Sequence, residues 1–339
     1  MKYAFPLAAV IALVLVALIL VQIPGMQYLF GVVVPYLAMA LFLGGFCYRV
    51  IHWAKSPVPF KIPTTCGQGY SLPWIKQDKL EAPVNTAQVV ARMFLEIVLF
   101  RSLWRNTKAT VYGGPKLTYE SSKWLWMFSL LFHYSFLVII IRHMRLFLDP
   151  VPGLVALVEI GDSLLQIGAP TMYTTDVTIV LALLFLFGRR LMNSQVRYIS
   201  LVNDYFPLFL ILGIVFTGIL MRFFLRTDVD INAIKQLAVG LVTFSPTIVA
   251  DISALFYVHL FLVCTLLAYF PFSKLMHMGG VFLSPTRNLA NNSRMVRHIN
   301  PWNPEIKPHS YAGYEDEFRE DMIEQGIPVE KELPPKAND

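Results

Sequence analysis

The fold is decided by the stretch Lys123–Leu148, which reads KWLWMFSLLFHYSFLVIIIRHMRLFL. An α-helix needs about 20 mainly apolar residues to cross a hydrocarbon layer about 30 Å thick, and this stretch exceeds that length. Because lipid offers no partner for backbone N–H and C=O groups, a spanning segment has to bond internally as a helix. The stretch therefore predicts a transmembrane helix. It also carries His133 and His143, in a setting where ionisable groups are costly.

Five more apolar stretches of comparable length lie on either side of this one. They are Tyr3–Ile23, Tyr28–Trp53, Thr175–Leu191, Tyr205–Phe224 and Asp251–Phe270. The chain of 339 residues is 56% hydrophobic and only 15% charged, a composition that is unusual for a soluble domain. We interpret the first stretch as a retained helix, because its apolar run is longer than that of a cleavable signal peptide. The sequence thus predicts an all-α integral membrane protein, a bundle of about six transmembrane helices.

The distribution of Lys and Arg predicts the orientation of this bundle. Residues 49–123 include eleven basic residues against four acids, whereas Asp149–Asp176 contains no Lys or Arg. Since Lys and Arg concentrate in cytoplasmic loops, we expect both termini in the cytoplasm and the chain in the cell membrane. The net charge of +6 then comes from these loops and needs no nucleic acid partner to explain it.

The pattern divides the chain into four regions. These are an N-terminal transmembrane hairpin (1–53), a cytoplasmic loop (54–122), a four-helix domain (123–282) and a polar cytoplasmic tail (283–339). The loop contains an amphipathic helix, Thr86–Arg105, which we expect to lie on membrane lipid or against a partner. The tail has too little apolar surface for a core, so it is either disordered or lies along a cytoplasmic partner. Its aromatic residues, such as Trp302 and Tyr311, favour the partner.

Four of the seven histidines are spaced so that they can face one another on two helices. His133 and His143 are ten residues apart, and His259 and His277 are eighteen apart. At 1.5 Å per residue these separations correspond to about 15 Å and about 27 Å along a helix. Pro271 is expected to kink or end the last helix and to shorten the second separation. Because the third and sixth helices are antiparallel, His133 then lies level with His277, and His143 with His259.

Two such pairs predict two haem groups. Neutral imidazole is a common haem ligand, and two bis-histidine sites, one near each membrane face, would bind two b haems. Iron with two histidine ligands has no open position, which favours electron transfer over oxygen chemistry. The chain has no C-x-x-C or C-x-x-C-H motif, so it predicts neither an iron–sulfur cluster of its own nor covalently attached haem. Two alternatives stay open: His52 competes with His277, and any single histidine is also explained as a hydrogen-bonded packing residue.

Charged residues near the predicted outer pair are candidates for further contacts. Arg142, Arg145, Arg222 and Arg226 can bind haem propionates or a quinone, since guanidinium binds carboxylate with two parallel hydrogen bonds. Each is equally explained as an interfacial arginine that reaches towards lipid headgroups. Quinol oxidation also needs a proton acceptor, and Asp251 is the candidate. The alternative for Asp251 is a helix cap.

The histidine pattern resembles that of the haem b (gamma) subunit of respiratory nitrate reductase. The resemblance covers Lys123–Gly279 and implies that His133, His143, His259 and His277 are the axial ligands of two b haems. Within that superfamily the chain looks most like the DsrM type, the haem b membrane subunit of a complex in sulfur-metabolising prokaryotes. The second N-terminal helix, the long basic loop that follows it and the polar tail carry this narrower resemblance.

The resemblance implies a di-haem cytochrome b subunit of a membrane redox complex of dissimilatory sulfur metabolism. Such a subunit oxidises menaquinol near the outer haem and delivers electrons to a cytoplasmic iron–sulfur subunit. Further membrane and outer-side cytochrome subunits are expected in the same complex. The alternative from another class is a haem-free transporter or channel that uses the histidines as a proton relay, and a visible spectrum would separate the two. A membrane anchor with structural haems is a third interpretation.

Overall fold

The computed structural model describes most of the chain: residues 2–56, 67–114, 116–165, 171–225, 230–248, 252–292, 305 and 307–331. The helices in these segments are α1 (Ala4–Leu20), α2 (Met26–Tyr28), α3 (Val34–Ala54), α4 (Thr86–Leu99), α5 (Arg101–Arg105), α6 (Lys123–Phe147), α7 (Gly153–Asp162), α8 (Thr174–Met192), α9 (Ser194–Ile199), α10 (Val202–Ile219), α11 (Ile231–Val242), α12 (Ala254–Tyr269), α13 (His277–Gly280), α14 (Pro285–Asn288) and α15 (Tyr311–Glu324). Short turns of other helical types join or extend them at Leu29–Val33, Leu220–Phe224, Phe270–Phe272, Lys274–Met276 and Val281–Leu283.

Two small antiparallel hairpins accompany the helices. Strands β1 (Thr107–Tyr112) and β2 (Lys116–Ser121) pair with Thr107 opposite Ser121. Strands β3 (Ser163–Leu165) and β4 (Met172–Tyr173) form a shorter pair with an irregular register. These hairpins sit between helices, so the fold is helical in its main elements.

Four helices in the described segments are long and apolar enough to cross a membrane. They are Met26–Ala54, Lys123–Phe147, Val202–Phe224 and Ala254–Phe272. The other two predicted spans form helices that fall short of this measure. Helix α1 has 17 residues, and the 19 residues of α8 include Asp176, Arg189 and Arg190.

The bundle packs in two parts that share α10. Helix α12 packs against α1, α3 and α10, and the core there contains the fully buried Tyr257, Leu262 and Leu210. Helix α6 packs against α7, α8 and α11. Only 6% of the most apolar part of α6 is buried within the fold, so most of its apolar surface is available to lipid. The chain is an all-α membrane protein in which apolar side chains face outward as well as inward.

The end of α12 is shaped by Pro271, as its sequence predicts. The α-helix ends at Tyr269 and a tight turn follows, because proline cannot continue the backbone hydrogen bonding. Arg49 Nε of α3 donates to the Pro271 carbonyl at 3.2 Å. Gly45 makes this approach possible, since a β-carbon there would lie 2.6 Å from the Pro271 ring. Helix α3 therefore supports the segment that leads to His277.

The amphipathic helix predicted as Thr86–Arg105 is interrupted at Phe100. Helix α4 begins after Asn85, whose side chain caps it by accepting from the Gln88 N–H, and it ends at Leu99. The residue Phe100 has φ 50° and ψ 45°, which turns the chain before α5.

The charged side of α4 packs against the chain and its apolar side is exposed. Arg92 and Glu96 are 3% and 8% exposed, whereas Val90 and Phe94 are each 61% exposed. Upstream, Glu81 forms ion pairs with Arg101 and Arg105 of α5, and its carbonyl accepts from Arg92. The charged groups of this segment are therefore paired within the chain, and its exposed apolar side chains are available to contact lipid or another protein.

Part of the tail is folded, although the sequence left disorder open. Residues 311–324 form α15, and Glu315 accepts hydrogen bonds from the backbone N–H groups of Glu330 and Lys331, each at 2.8 Å. The chain after α15 thus folds back onto the helix. Trp302 lies outside the described residues.

Candidate functional site

The structure brings His133 and His277 together. Their ring centroids are 6.0 Å apart, and the ring planes are nearly perpendicular at 85°. His133 Nδ1 lies 2.7 Å from the Ser129 carbonyl oxygen, and His277 Nδ1 lies 2.8 Å from the Lys274 carbonyl oxygen. Because a carbonyl only accepts, each Nδ1 carries the proton and each Nε2 keeps its lone pair. We call this end of the bundle the His133 end.

The separation of the two rings suits a metal ion bound by both. Two metal–nitrogen bonds of about 2 Å, with about 1 Å more from each nitrogen to its ring centre, add up to about 6 Å. The pair therefore fits two axial ligands of one metal centre.

The second pair, His143 and His259, lies towards the other end of α6, which we call the His143 end. His143 Nδ1 is 2.7 Å from the Ile139 carbonyl oxygen, so its Nε2 also keeps a lone pair. The two rings are near enough for an electrostatic interaction between them. The pairing of His143 with His259 at this level stays a prediction.

His259 is oriented by a hydroxyl that the sequence reasoning missed. Its Nδ1 is 2.8 Å from Thr217 Oγ1 of α10. That oxygen is also 2.9 Å from the carbonyl oxygens of Gly213 and Ile214, which take the hydroxyl proton. Thr217 therefore accepts from His259 Nδ1 and leaves Nε2 free. No local pattern marks Thr217, because its partner is 42 residues away on another helix.

The competing histidine, His52, does not face His133. Its ring is exposed and stacks on Tyr48, with centroids 6.0 Å apart and planes at 17°. The imidazole beside His133 is that of His277. Around His133 the other ring neighbours are Phe100 and Phe132, with centroids at 5.0 Å and 5.1 Å.

The arginines predicted near the outer pair are engaged with protein groups. Arg142 is buried; its Nε is 3.0 Å from Asp162 Oδ2, a contact of charges without an aligned hydrogen bond. Its Nη2 donates to Thr175 Oγ1 at 3.0 Å and to Asp176 Oδ1 at 3.3 Å. Three elements, α6, α7 and α8, are tied together by this one guanidinium.

Arg222 shares an aromatic partner with Arg142. The two guanidinium carbons lie 4.0 Å and 3.7 Å from the centroid of the Tyr173 ring. Arg222 also donates to the Thr171 carbonyl at 3.0 Å. Both side chains are thereby fixed at the His143 end.

Arg145 and the Tyr173 hydroxyl both bond to Glu159 at this end. These contacts build a network of charged and aromatic groups beside His143. Arg226 and Asp251, the other two predicted residues, lie outside the described residues.

Comparison with known proteins adds two findings. The sequence model of the family described as nitrate reductase gamma subunit matches residues 93–298, a range that includes all four paired histidines. A protein of Archaeoglobus fulgidus named Hdr-like menaquinol oxidoreductase cytochrome b-like subunit is 45% identical over 287 residues, which cover 83% of this chain and 85% of the relative. Its namesake in Archaeoglobus profundus is 42% identical over 277 residues, which cover 80% and 81%.

Proposed function

Because the chain belongs to the nitrate reductase gamma-subunit family, we propose that it is the cytochrome b subunit of a membrane-bound complex that oxidises menaquinol. The names of its relatives support a membrane redox role within a larger assembly. Menaquinol is proposed as the substrate because those relatives are named for it. The chain is one subunit of such an enzyme and carries electrons within it.

Two b haems are proposed as its cofactors, bound by His133 with His277 and by His143 with His259. The observation that carries this proposal is the 6.0 Å separation of the His133 and His277 rings. It is supported by the four Nδ1 contacts, which leave every Nε2 available to a metal. Bound haem would supply one-electron transfer between the two faces of the membrane.

The chain's own side chains prepare these sites. Hydrogen bonds from Nδ1 to Ser129, Ile139, Thr217 and Lys274 fix the ring orientations and make each Nε2 a stronger donor to a metal. Phe100 and Phe132 place apolar rings beside the His133 imidazole.

We place the His143 end at the outer face and assign menaquinol oxidation to it. Six membrane spans are proposed from the six apolar stretches, with α1 and α8 counted among them. Both termini are placed in the cytoplasm because of the distribution of Lys and Arg. Asp251 remains the proposed proton acceptor, and Glu159 with the Tyr173 hydroxyl is a second group able to pass protons at this end.

The proposed partners follow from the two faces. A cytoplasmic iron–sulfur subunit takes electrons at the His133 end, where α4 exposes an apolar side. The aromatic residues of the tail, such as Tyr311, are a second surface proposed for it. Further membrane and outer-side cytochrome subunits complete the complex. We assign the chain to the DsrM type and to dissimilatory sulfur metabolism, because of its second N-terminal helix, its long basic loop and its polar tail.

The haem proposal is tested by counting haems in the purified protein. A pyridine haemochrome assay should find close to two non-covalent b haems per chain. His143→Ala and His259→Ala should lose the same haem, and His133→Ala and His277→Ala should lose the other. His52→Ala is the matched control and should keep both, because that ring stacks on Tyr48 instead.

Two results would contradict the proposal. If the two members of a pair lose spectroscopically different haems, the pairing is wrong. A purified protein without a haem spectrum would favour the proton-relay transporter instead.

A further inference from the structure

One residue beside the His133 pair has a backbone conformation that its own side chain disfavours. Phe100 joins α4 to α5 with φ 50°, in the left-handed region. A β-carbon is crowded by the following carbonyl oxygen there, so Gly or Asn normally occupies this position after a helix. A bulky residue held in this conformation indicates that contacts elsewhere outweigh the local strain.

The contact that Phe100 gains is with the imidazole of His133. The two ring centroids are 5.0 Å apart and the planes are perpendicular, at 90°. Phe132 and His277 are the other ring neighbours of this imidazole, at 5.1 Å and 6.0 Å. Phe100 is thus one wall around His133, contributed by a segment that precedes the membrane helix.

Two side chains of α6 hold the turn at Phe100, between α4 and α5, in place. Trp126 Nε1 donates to the Leu99 carbonyl at 2.7 Å, and the Tyr134 hydroxyl donates to the Val98 carbonyl at 2.9 Å. Both carbonyls belong to the last turn of α4, where the helix itself supplies no donor. Because Trp126 and Tyr134 lie on the same helix as His133, their hydrogen bonds hold the turn at Phe100 against α6, close to the His133 imidazole.

We propose that Phe100 is a positioning residue for the haem bound through His133, holding that imidazole in place and keeping water from it. This inference rests on the proposed function. Removing the apolar wall would admit water, which stabilises the more highly charged oxidised form of the metal centre. The midpoint potential of that haem should therefore fall, since burial and solvent access set the potential of a haem.

The test compares Phe100→Gly with a matched control, Phe244→Gly. Glycine accepts the left-handed conformation at both positions, so each variant relieves strain rather than adding it. Phe244 has φ 57°, and its ring stacks on Tyr36 at 5.8 Å rather than on a histidine. Redox titration of the haem spectrum of the full chain should show a lower midpoint potential for one haem in Phe100→Gly only. The variant Phe100→Tyr keeps an aromatic ring at this position, so its haems should titrate at the wild-type midpoint potentials.

The affected haem is identified as the one that His133→Ala removes. The inference is overturned if Phe100→Gly titrates like the wild type, or if Phe244→Gly shifts the same haem equally. In either case the wild type still holds two haems and the proposed function stands. A wild type without haem would overturn the proposed function and this inference together.

Discussion

At the scale of single residues, Arg142 is a buried charge at the His143 end with a buried acidic partner. It is 7% exposed, and its acidic partner Asp162 is 6% exposed. A buried ion pair contributes little compared with an apolar pair, but removal of one partner leaves an uncompensated charge. Arg142 therefore matters for stability because its removal would leave the buried carboxylate of Asp162 without a compensating charge.

We predict that Arg142→Ala lowers the free energy of unfolding by about 3–5 kcal/mol, the usual cost of breaking a buried pair. Denaturant unfolding in detergent, followed by circular dichroism, measures this change. The control is Lys235→Ala, whose Nζ lies 3.3 Å from a carboxylate of Asp149 that is 67% exposed. An exposed pair of this kind contributes at most about 1 kcal/mol, so equal losses in the two variants would contradict the prediction.

The sequence predicted the levels of the histidines but not their immediate partners. Helix rise is constant, so the spacing of ten residues gives the relative depth of His133 and His143 without any knowledge of neighbouring elements. The spacing of eighteen needed the further expectation that Pro271 ends the helix and shortens the separation. The contacts of Arg142 with Asp162 and of His259 with Thr217 join different helices. No periodicity within one element reports such contacts, because they depend on how the helices pack.

At the scale of elements, periodicity predicted α4 but not the side of it that would be exposed. The charged side is covered because its side chains find partners outside the helix: Arg92 donates to the Glu81 carbonyl at 3.3 Å, and Glu96 accepts from the Ser102 N–H at 3.1 Å. The break at Phe100 was also missed, since the apolar pattern continues through it to Trp104. Trp126 and Tyr134 of α6 hydrogen-bond to the last turn before the break, and such contacts with another element are not encoded in the local pattern.

In the tail, one carboxylate of α15 holds the chain that follows the helix against it. Glu315 is 1% exposed and accepts from the N–H groups of Glu330 and Lys331 and from Arg319 Nε. The bond from the Glu330 backbone is the largest of the effects that lower the pKa of Glu315 below its ordinary value of 4.5. Asp316, which contacts Arg319 and Lys331, has a lowered pKa as well.

We predict that acid opens this closure. A carboxylate with a lowered pKa stabilises the folded form fully above its ordinary value, and that stabilisation is lost as the pH falls through the folded-state pKa. Hydrogen exchange, corrected for the intrinsic rate at each pH, should show the amides of Glu330 and Lys331 protected at neutral pH. Protection should disappear below a pH of 4.5, the ordinary pKa of the Glu315 carboxyl.

Two variants sharpen this test of the tail. Glu315→Gln should weaken protection even at neutral pH and remove its dependence on acid, because the amide cannot ionise. Glu320→Gln changes an exposed acid of the same helix and should behave like the wild type. Acid-independent protection in the wild type would show that Glu315 does not hold the closure.

At the scale of the whole molecule, the two ends of the bundle differ in charge. The connection Asp149–Asp176 between α6 and α8 has no Lys or Arg, and its carboxylates at 159, 162 and 176 face arginines that project from helices. Basic residues dominate the long segment before α6. This asymmetry is the basis for placing the His143 end outside.

If menaquinol is oxidised at the outer end, protons leave outside while electrons move inward. Each elementary charge moved against a potential of 100 mV costs about 2.3 kcal/mol. The difference in potential between menaquinol and the inner acceptor has to cover this cost, which favours a fairly oxidising cytoplasmic acceptor. The same reasoning gives the direction of the pH change that the reaction should cause.

We predict that vesicles holding the full chain acidify the compartment opposite the tail when a menaquinol analogue is added. The vesicles enclose a membrane-impermeant electron acceptor, and protection of α15 from external protease selects those with the tail inside. The external pH should then fall, and a protonophore should abolish the change because the released protons return through the membrane. His52→Ala should behave like the wild type, since His52 is paired with neither haem site. Acidification of the inner compartment would place quinol oxidation at the His133 end and overturn the outer assignment, while the pairing of the histidines would stand.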